Sequence, residues 1–306
     1  MKIPKLLVST VVRGAQRGES HGGLYLVDIA AREAEQVADW RSEAIDFSGH
    51  GGDRGLRGIA VAGKEIFVAA SDELFAFDPW FQVIGSWRNP YLKHCHEISE
   101  HKGKLYLALT AFDAVLRMDV KSRRFESGMK IANAGGVISL KTFDPTRPGE
   151  VEPGNIYHLN SVHAGEDGLF VAGRKMPAVV KVTDAAIEVA AAVPRGTHNA
   201  QPFEGGVLYN DGDGDAVVWA APDQWVASAV PRYPREALVN ANADVSDGAR
   251  QAFGRGLCVL SQRLVAAGSS PATVSVHDIE AGQVVASLNL TMDVRHAVHG
   301  LAAWPF

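Results

Sequence analysis

The chain reads as an all-β protein, a six-bladed β-propeller, on three observations. Six segments begin alike, with Arg57, His96, Asn160, His198, Arg255 and His299 at the shared position. In the first five, an aliphatic strand pattern starts nine residues later, at Ile66, Leu105, Leu169, Val207 and Leu264. The sixth start, HGLAAWPF, runs out of chain, and its continuation is found at the other terminus, KLLVSTVVRG followed by GGLYLVDI. A repeat of about 40 residues carrying four short strands is the mark of a propeller blade.

Taken in order, the N-terminal patterns supply the second and third strands of a blade whose innermost strand comes from the C-terminus, so that 297–304 is expected to pair with 5–12. The next blades follow as FVAASDELFAFD, LYLALTAFDAVLRMD, LFVAGRKMPAVVKV, VLYNDGDGDAVVWA and LVAAGSSPATVSVHD, each a strand, a turn and a strand. An open β-sandwich with chance periodicity leaves the match between the termini unexplained. Three stretches exceed the period: 42–56, with His50 and Asp53; 127–157, with NAGG and FDPTRPG; and 228–254, with PRYPRE. By the strand order each joins an outer strand to the next inner one, over the end where the inner strands start. Long loops there form a lid or wall, with Tyr157, Tyr233 and Phe253 as its apolar part; 42–56 reads as a simple bridge. DGDGD lacks the glycine and distal glutamate of a calcium loop, so Asp211, Asp213 and Asp215 read as a tight hairpin.

The repeats make residues 1–306 one propeller domain although the length would allow two. The formal net charge of −5, with Lys and Arg scattered, argues against nucleic acid or an anionic membrane as partner. Two cysteines, Cys95 and Cys258, imply no disulfide framework. The apolar run near the N-terminus is broken by Ser9 and Thr10 and fits a strand better than a secretory signal. No segment approaches the roughly 20 apolar residues that cross a bilayer. These features predict a cytoplasmic chain; they do not set an oligomeric state.

In a propeller the inner strands start at the face where ligands usually bind. The six shared positions would therefore ring the mouth of the central channel with two Arg, three His and one Asn, a convergent polar set. In HCHEI, His94 stands two before His96, on one side of an extended strand; in NIYHLNSVH, His158 stands two before Asn160 and is the counterpart of His94. With His198 and His299, five imidazoles face one mouth, while His163 and His296 turn elsewhere. Neutral imidazoles converging from different strands suit Zn, Fe, Cu, Ni or Mn, and His96, His198 and His299 are the expected ligands of such a divalent transition metal. Two other readings of the same histidines are a hydrogen-bonded polar channel and metal-free acid–base chemistry. Arg57 and Arg255 beside a histidine cluster point to a bound anion, with Asn160 and Arg174 completing the substrate contacts; alternatively each Arg pairs with an inward acid such as Glu97 or Asp53.

The strings HCHEI…LYLALTAFDAVLRMD, THNAQPFEGGVLYND and GSSPATVSVHD…HGLAAWPF resemble uncharacterised bacterial six-bladed propeller proteins. More distantly they are similar to the NHL-repeat and SMP-30/gluconolactonase-like superfamily. That resemblance implies the fold. Lactonases of the SMP-30 type hold a divalent ion with Glu, Asp and Asn, whereas Arg and His stand at the matching starts here. The virginiamycin B lyases and oligogalacturonate lyases are nearer in residue type, combining axial histidine with a divalent metal and eliminating beside a carboxyl or ester carbonyl. The four-His iron site of carotenoid oxygenases is similar in its blade-mouth histidines, on a longer, seven-bladed chain.

Two classes of function follow. The first is a metal-dependent enzyme acting on a small carboxylate-bearing substrate, lyase ahead of oxygenase or hydrolase, with His94, His158 and Tyr157 moving protons and Arg57, Arg255, Asn160 and Arg174 holding the substrate. The second is a non-catalytic propeller that binds a sugar, peptide or protein.

Overall fold

Both termini enter one sheet. In the computed structural model, which describes residues 3–41, 55–183, 186–242 and 249–306, β1 (Leu6–Val12), β2 (Gly23–Asp28) and β3 (Glu33–Asp39) run antiparallel. The last strand of the chain, β25 (His296–Ala303), pairs with β1 from Leu6↔Ala303 to Val12↔His296. The sheet order β25-β1-β2-β3 is the expected closure, with the C-terminal strand innermost. It arises because Leu6, Leu7, Val8, Ala297, Val298 and Leu301 are all buried, and neither segment can bury that surface or its backbone groups alone.

Five more sheets follow. The second is β4 (Ile59–Ala62), β5 (Glu65–Ala69), β6 (Leu74–Phe77) and β7 (Val83–Trp87). The third holds β8 (Cys95–His101), β9 (Lys104–Leu109), β10 (Ala114–Asp119), β11 (Arg124–Ala134) and a fifth strand, β12 (Val137–Phe143). The fourth is β13 (Leu159–Gly165), β14 (Gly168–Gly173), β15 (Ala178–Val182) and β16 (Ile187–Ala192). The fifth is β17 (Thr197–Phe203), β18 (Gly206–Asp211), β19 (Ala216–Ala221) and β20 (Gln224–Ala229). The sixth is β21 (Arg255–Val259), β22 (Leu264–Ser269), β23 (Thr273–Asp278) and β24 (Gln283–Asn289). Six antiparallel sheets of four or five strands make the fold a six-bladed β-propeller.

The chain forms two compact units, Gly58–Leu208 on one hand and Met1–Arg57 with Tyr209–Phe306 on the other. Within the first, Phe67, Leu74, Leu105, Leu107 and Leu116 pack the second sheet against the third, and Val115, Leu159, Val171 and Val180 pack the third against the fourth. Within the second, Leu6, Val8, Val274, Val276 and Val298 fill the space between the sixth sheet and the first. Outer strands need only a half-buried face, and β3, with Glu33, Ala34, Glu35 and Gln36 exposed, is the extreme case.

Two long stretches differ from the expected loops. About half of 127–157 is sheet: β11 runs on to Ala134 and turns through Gly135 and Gly136, both at positive φ, into β12. Asn133 Oδ1 accepts from the Gly136 amide at 2.9 Å, so NAGG is a hairpin turn. The described part of 228–254 contains a 3-10 turn at Arg235–Ala237, and Val239 bridges the strip ahead of β25 through Val239 N to Met292 O at 2.9 Å and Val294 N to Val239 O at 3.1 Å. His50 and Asp53, within 42–56, lie outside the described residues. DGDGD is the expected hairpin, with Asp211 Oδ1 accepting from the amides of Asp213 and Gly214 at 3.1 and 2.8 Å.

Candidate functional site at the starts of the first strands

The shared positions coincide with irregularities in the first strands. On β8 the register jumps from Cys95↔Leu109 to Ile98↔Leu107, so His96 and Glu97 together oppose one residue. On β13 the extra residue is Asn160, on β21 it is Gly256, and on β25 it is His299. A β-bulge re-aims the side chains around it, and the repeat has placed one at the polar positions of four sheets. Gly300, beside the last of these bulges, has the Arg57 carbonyl 2.4 Å from where a Cβ would sit, which excludes any side chain there.

Within the Gly58–Leu208 unit, His94 and His158 share one conformation, with φ of 51° and 52° immediately before β8 and β13. Their equivalence in the repeat is therefore real, but the expectation that His94 and His96 lie on one side of an extended strand is corrected. His94 precedes the strand in the left-handed region, and the bulge interrupts alternation at His96. Both turns are held by hairpin acids. Asp72 Oδ1 accepts from the His94 amide at 3.2 Å, while the Asp113 carboxylate accepts from the amides of Ile156, Tyr157 and Leu159 at 2.6, 2.9 and 3.0 Å.

The rings of His96 and His158 meet edge to face with centroids 5.6 Å apart. His158 Nδ1 lies 3.1 Å from Asn155 Oδ1, and His198 Nδ1 lies 2.8 Å from the carbonyl of Gly196. Both partners only accept, so each Nδ1 is the donor of its hydrogen bond. Asn160 is buried, its Nδ2 donating to Thr197 O at 3.2 Å and its Oδ1 accepting from Ser161 Oγ at 3.0 Å.

The group that ties these strands together is one that sequence reasoning treated only as an arginine partner. Glu97, on β8, accepts from Asn199 Nδ2 of β17 at 2.8 Å through Oε1, and from the Val162 amide of β13 at 3.2 Å through Oε2. Both donors are neutral. Burial pushes the Glu97 carboxyl up to about 7, against the lowering effect of the two hydrogen bonds. Strict alternation would aim Glu97 away from the face of His96; the bulge places both opposite a single residue, and nothing local in HCHEI announces it.

Of two further expected members, one lies in a core and the other on a hairpin beside His158. Tyr157 is buried in the core between the third and fourth sheets, its hydroxyl 3.1 Å from Asn133 Nδ2. Arg174 is exposed on the β14–β15 hairpin, with its amide donating to His158 O at 3.1 Å.

Arg57, Arg255 and His299 belong to the other unit, 4%, 8% and 5% exposed. Ser9 Oγ donates to the carbonyl of Arg57, and the Arg255 guanidinium lies 4.7 Å from the centroid of Phe253. Tyr233, expected with Phe253 in a pocket wall, has its hydroxyl 3.1 Å from Thr273 Oγ1. His296 has its Nε2 2.8 Å from Thr10 Oγ1.

Among the described residues no group of three or more His, Cys, Asp and Glu side chains is disposed to hold a metal ion. Cys258 adds no ligand: burial raises its thiol to about 11.

No protein-family model matches the sequence and no curated protein matches it. Similarity appears at the level of structure. A chain of a nidogen/laminin complex superposes with a TM-score of 0.59 at 9% identity, covering 98% of both chains. A protein of unknown function from Bacteroides caccae does so with a TM-score of 0.56 at 14% identity, again covering 98% of both. A streptogramin B lyase matches with a TM-score of 0.44 at 9% identity over 73% of this chain and 68% of its own. At these identities the shared property is the fold. Among the described residues no helix is long and apolar enough to cross a membrane.

Proposed function

We propose that the Gly58–Leu208 unit carries an acid–base site for a small carboxylate-bearing substrate, with Glu97 as the base, and that the reaction is an elimination. The observation that carries this reading is the Glu97 carboxyl, held between β8, β13 and β17 by two neutral donors. Burial disfavours its ionised form and brings it to about 7, where a general base is most effective. His158 and His96, edge to face with centroids 5.6 Å apart, would return a proton to the leaving group. Arg174, exposed next to His158, supplies the guanidinium fork for the carboxylate.

In such a step the Glu97 carboxylate takes the proton on the carbon next to the substrate carboxylate. The C–H electron pair becomes the new double bond, and the group on the next carbon leaves with its bonding pair and a proton from imidazolium. The other reading, a binding propeller for a sugar, peptide or protein, shares the fold and differs in needing no proton transfer.

The test is proton exchange. Small carboxylates that raise the thermal midpoint of the protein are incubated with it in D2O, and loss of the proton signal next to the carboxylate is followed by NMR. Wild type is expected to exchange it and Glu97→Gln to lose exchange by at least ~100-fold while still binding. Binding without exchange in wild type supports the binding module instead. Stoichiometric transition metal in untagged protein, lost in His96→Ala, would return the reaction to a metal centre.

A further inference from the structure

The position one step after each shared residue divides the repeat in two. It is glycine at Gly58, Gly256 and Gly300, and a polar side chain at Glu97, Ser161 and Asn199. A Cβ at Gly58 would lie 2.6 Å from the Ile98 nitrogen and 2.7 Å from the Glu97 Cα, so glycine lets the chain ahead of β4 run against β8 backbone to backbone. The three polar residues fall on β8, β13 and β17, within the Gly58–Leu208 unit. There side chains make the links between strands.

On β17 the backbone is pinned on both sides of Asn199. Asn160 Nδ2 of β13 donates to Thr197 O at 3.2 Å, and the Ala200 amide donates to Ser161 Oγ of β13 at 3.2 Å. Asn199 itself has a φ of 54°, in the left-handed region that asparagine tolerates better than most residues with a side chain. It is 8% exposed. From this held backbone its Nδ2 meets Glu97 Oε1 at 2.8 Å, although β13 stands between β8 and β17 in blade order. In turn β8 and β13 are joined by the Val162 amide on Glu97 Oε2 at 3.2 Å and the Ala164 amide on Ser99 Oγ at 3.0 Å. The Glu97 carboxylate is thus gripped from two strands, one oxygen to each. Its titratable neighbours along the chain are His96 on β8 and, beside Asn199, His198 on β17.

We infer that Asn199 is the positioning residue of the Glu97 carboxyl, fixing the direction of Oε1 from a backbone that Asn160 and Ser161 hold in place. An N–H donor on a carboxylate oxygen also favours the ionised form over the acid. Each oxygen keeps a second lone pair, so Glu97 can take a proton while both grips remain. The inference deepens the reading of Glu97 as the base and rests on it for the kinetic half of its test alone. In the sequence the two residues stand at equivalent places, directly after His96 and His198, but nothing local shows that they meet across an intervening blade.

The experiment titrates the full chain by NMR without substrate, with glutamate labelled at its carboxyl carbon and Glu97 assigned from the signal missing in Glu97→Gln. Asn199→Gly removes the amide and suits the left-handed backbone. It is expected to raise the Glu97 midpoint by about 1–2 pH units, the size of a lost hydrogen bond to a charged group. Asn199→Asp keeps the shape but puts a second carboxyl in place of the donor, and serves if Asn199→Gly does not fold. Its later carboxyl midpoint is expected at least ~1 pH unit above that of wild-type Glu97, because adjacent carboxylates resist ionising together. Ser99→Ala, which loses a different link between β8 and β13, is the control and keeps the wild-type midpoint. A residue that only packs would lower the thermal midpoint when replaced and leave the Glu97 titration unmoved, and that result overturns the inference. The second readout is proton exchange against pH, whose rising limb is expected to move with the NMR midpoint. A moved midpoint with an unmoved limb keeps Asn199 as the positioning residue and removes Glu97 as the base, so either proposal can fail alone.

Discussion

At the scale of single residues, Glu97 shows how function and stability oppose each other. Its folded-state carboxyl titrates at about 7 because burial disfavours the charged form, whereas in the unfolded chain it ionises near its ordinary value of 4.5. Between those values the native state binds the extra proton. Glu97 therefore contributes stability that is full below pH 4.5 and is lost as pH rises through about 7. A neutral amide of the same shape avoids that loss, so Glu97→Gln is expected to be more stable than wild type at pH 8 by about 1–2 kcal/mol, and no more stable at pH 4. Paired urea melts at the two pH values check this. An equal or lower stability of the variant at pH 8 would mean that the carboxylate is better solvated than its neighbours imply.

At the scale of elements, the closing strand decides whether the first sheet exists. β25 contributes Ala297, Val298 and Leu301 to the core and gives β1 its inner partner along seven residue pairs. Burial of Val298 and Leu301 alone is worth about 1.5–3 kcal/mol each. Removing residues 297–306 strips that surface and exposes two edges, β1 and the cleft where β21 and β22 pack on β25. The truncated chain is expected to aggregate or to melt at least ~15 °C lower in circular dichroism, since losses of this size move a domain's midpoint by several degrees per kcal/mol. A full-length melting profile after truncation would refute the closure as a source of stability. The same elements explain why β12 escaped a blade-period reading: a fifth strand is an addition outside the repeat, and only its hairpin glycines mark it.

At the scale of the whole chain, two imidazoles held well below their ordinary value make stability fall in acid. His277 is fully buried, its Nδ1 2.7 Å from Ser228 Oγ and its Nε2 2.8 Å from Ser275 Oγ, and burial depresses it to about 4. His296, facing Thr10, is lowered to about 4 by the same cause. Below the ordinary imidazole value of 6.5 the unfolded chain takes up protons that the native state refuses, so stability falls as pH drops from 6.5 towards 4. The two residues together account for a loss on the order of 4–6 kcal/mol across that window. Thermal midpoints from pH 8 to 4 should decline steeply below pH 6.5. His277→Gln should flatten that decline, at a cost near pH 7.5 of about 1–3 kcal/mol for the serine hydroxyls it leaves mispaired. A variant with the wild-type slope would shift the acid sensitivity to other groups.

The sequence by itself determined the fold class, the number of blades and the closure by both termini, because strand alternation and a repeat of hydrophobic pattern are local properties that survive in one dimension. It also marked His94 and His158 as equivalents, and the structure gives both the same left-handed backbone. What only the tertiary structure decided is which polar side chains meet. The bulge at His96 and Glu97 cancels the alternation from which their directions were read. Tyr157 was drawn into an apolar core by Val115, Ile131 and Met176, and Arg13 and Arg250 were gathered around Phe253 from segments the repeat does not align. Bulges, ring contacts and carboxylates that span three strands depend on register and on partners distant in sequence, and a pattern of hydrophobicity carries no record of either.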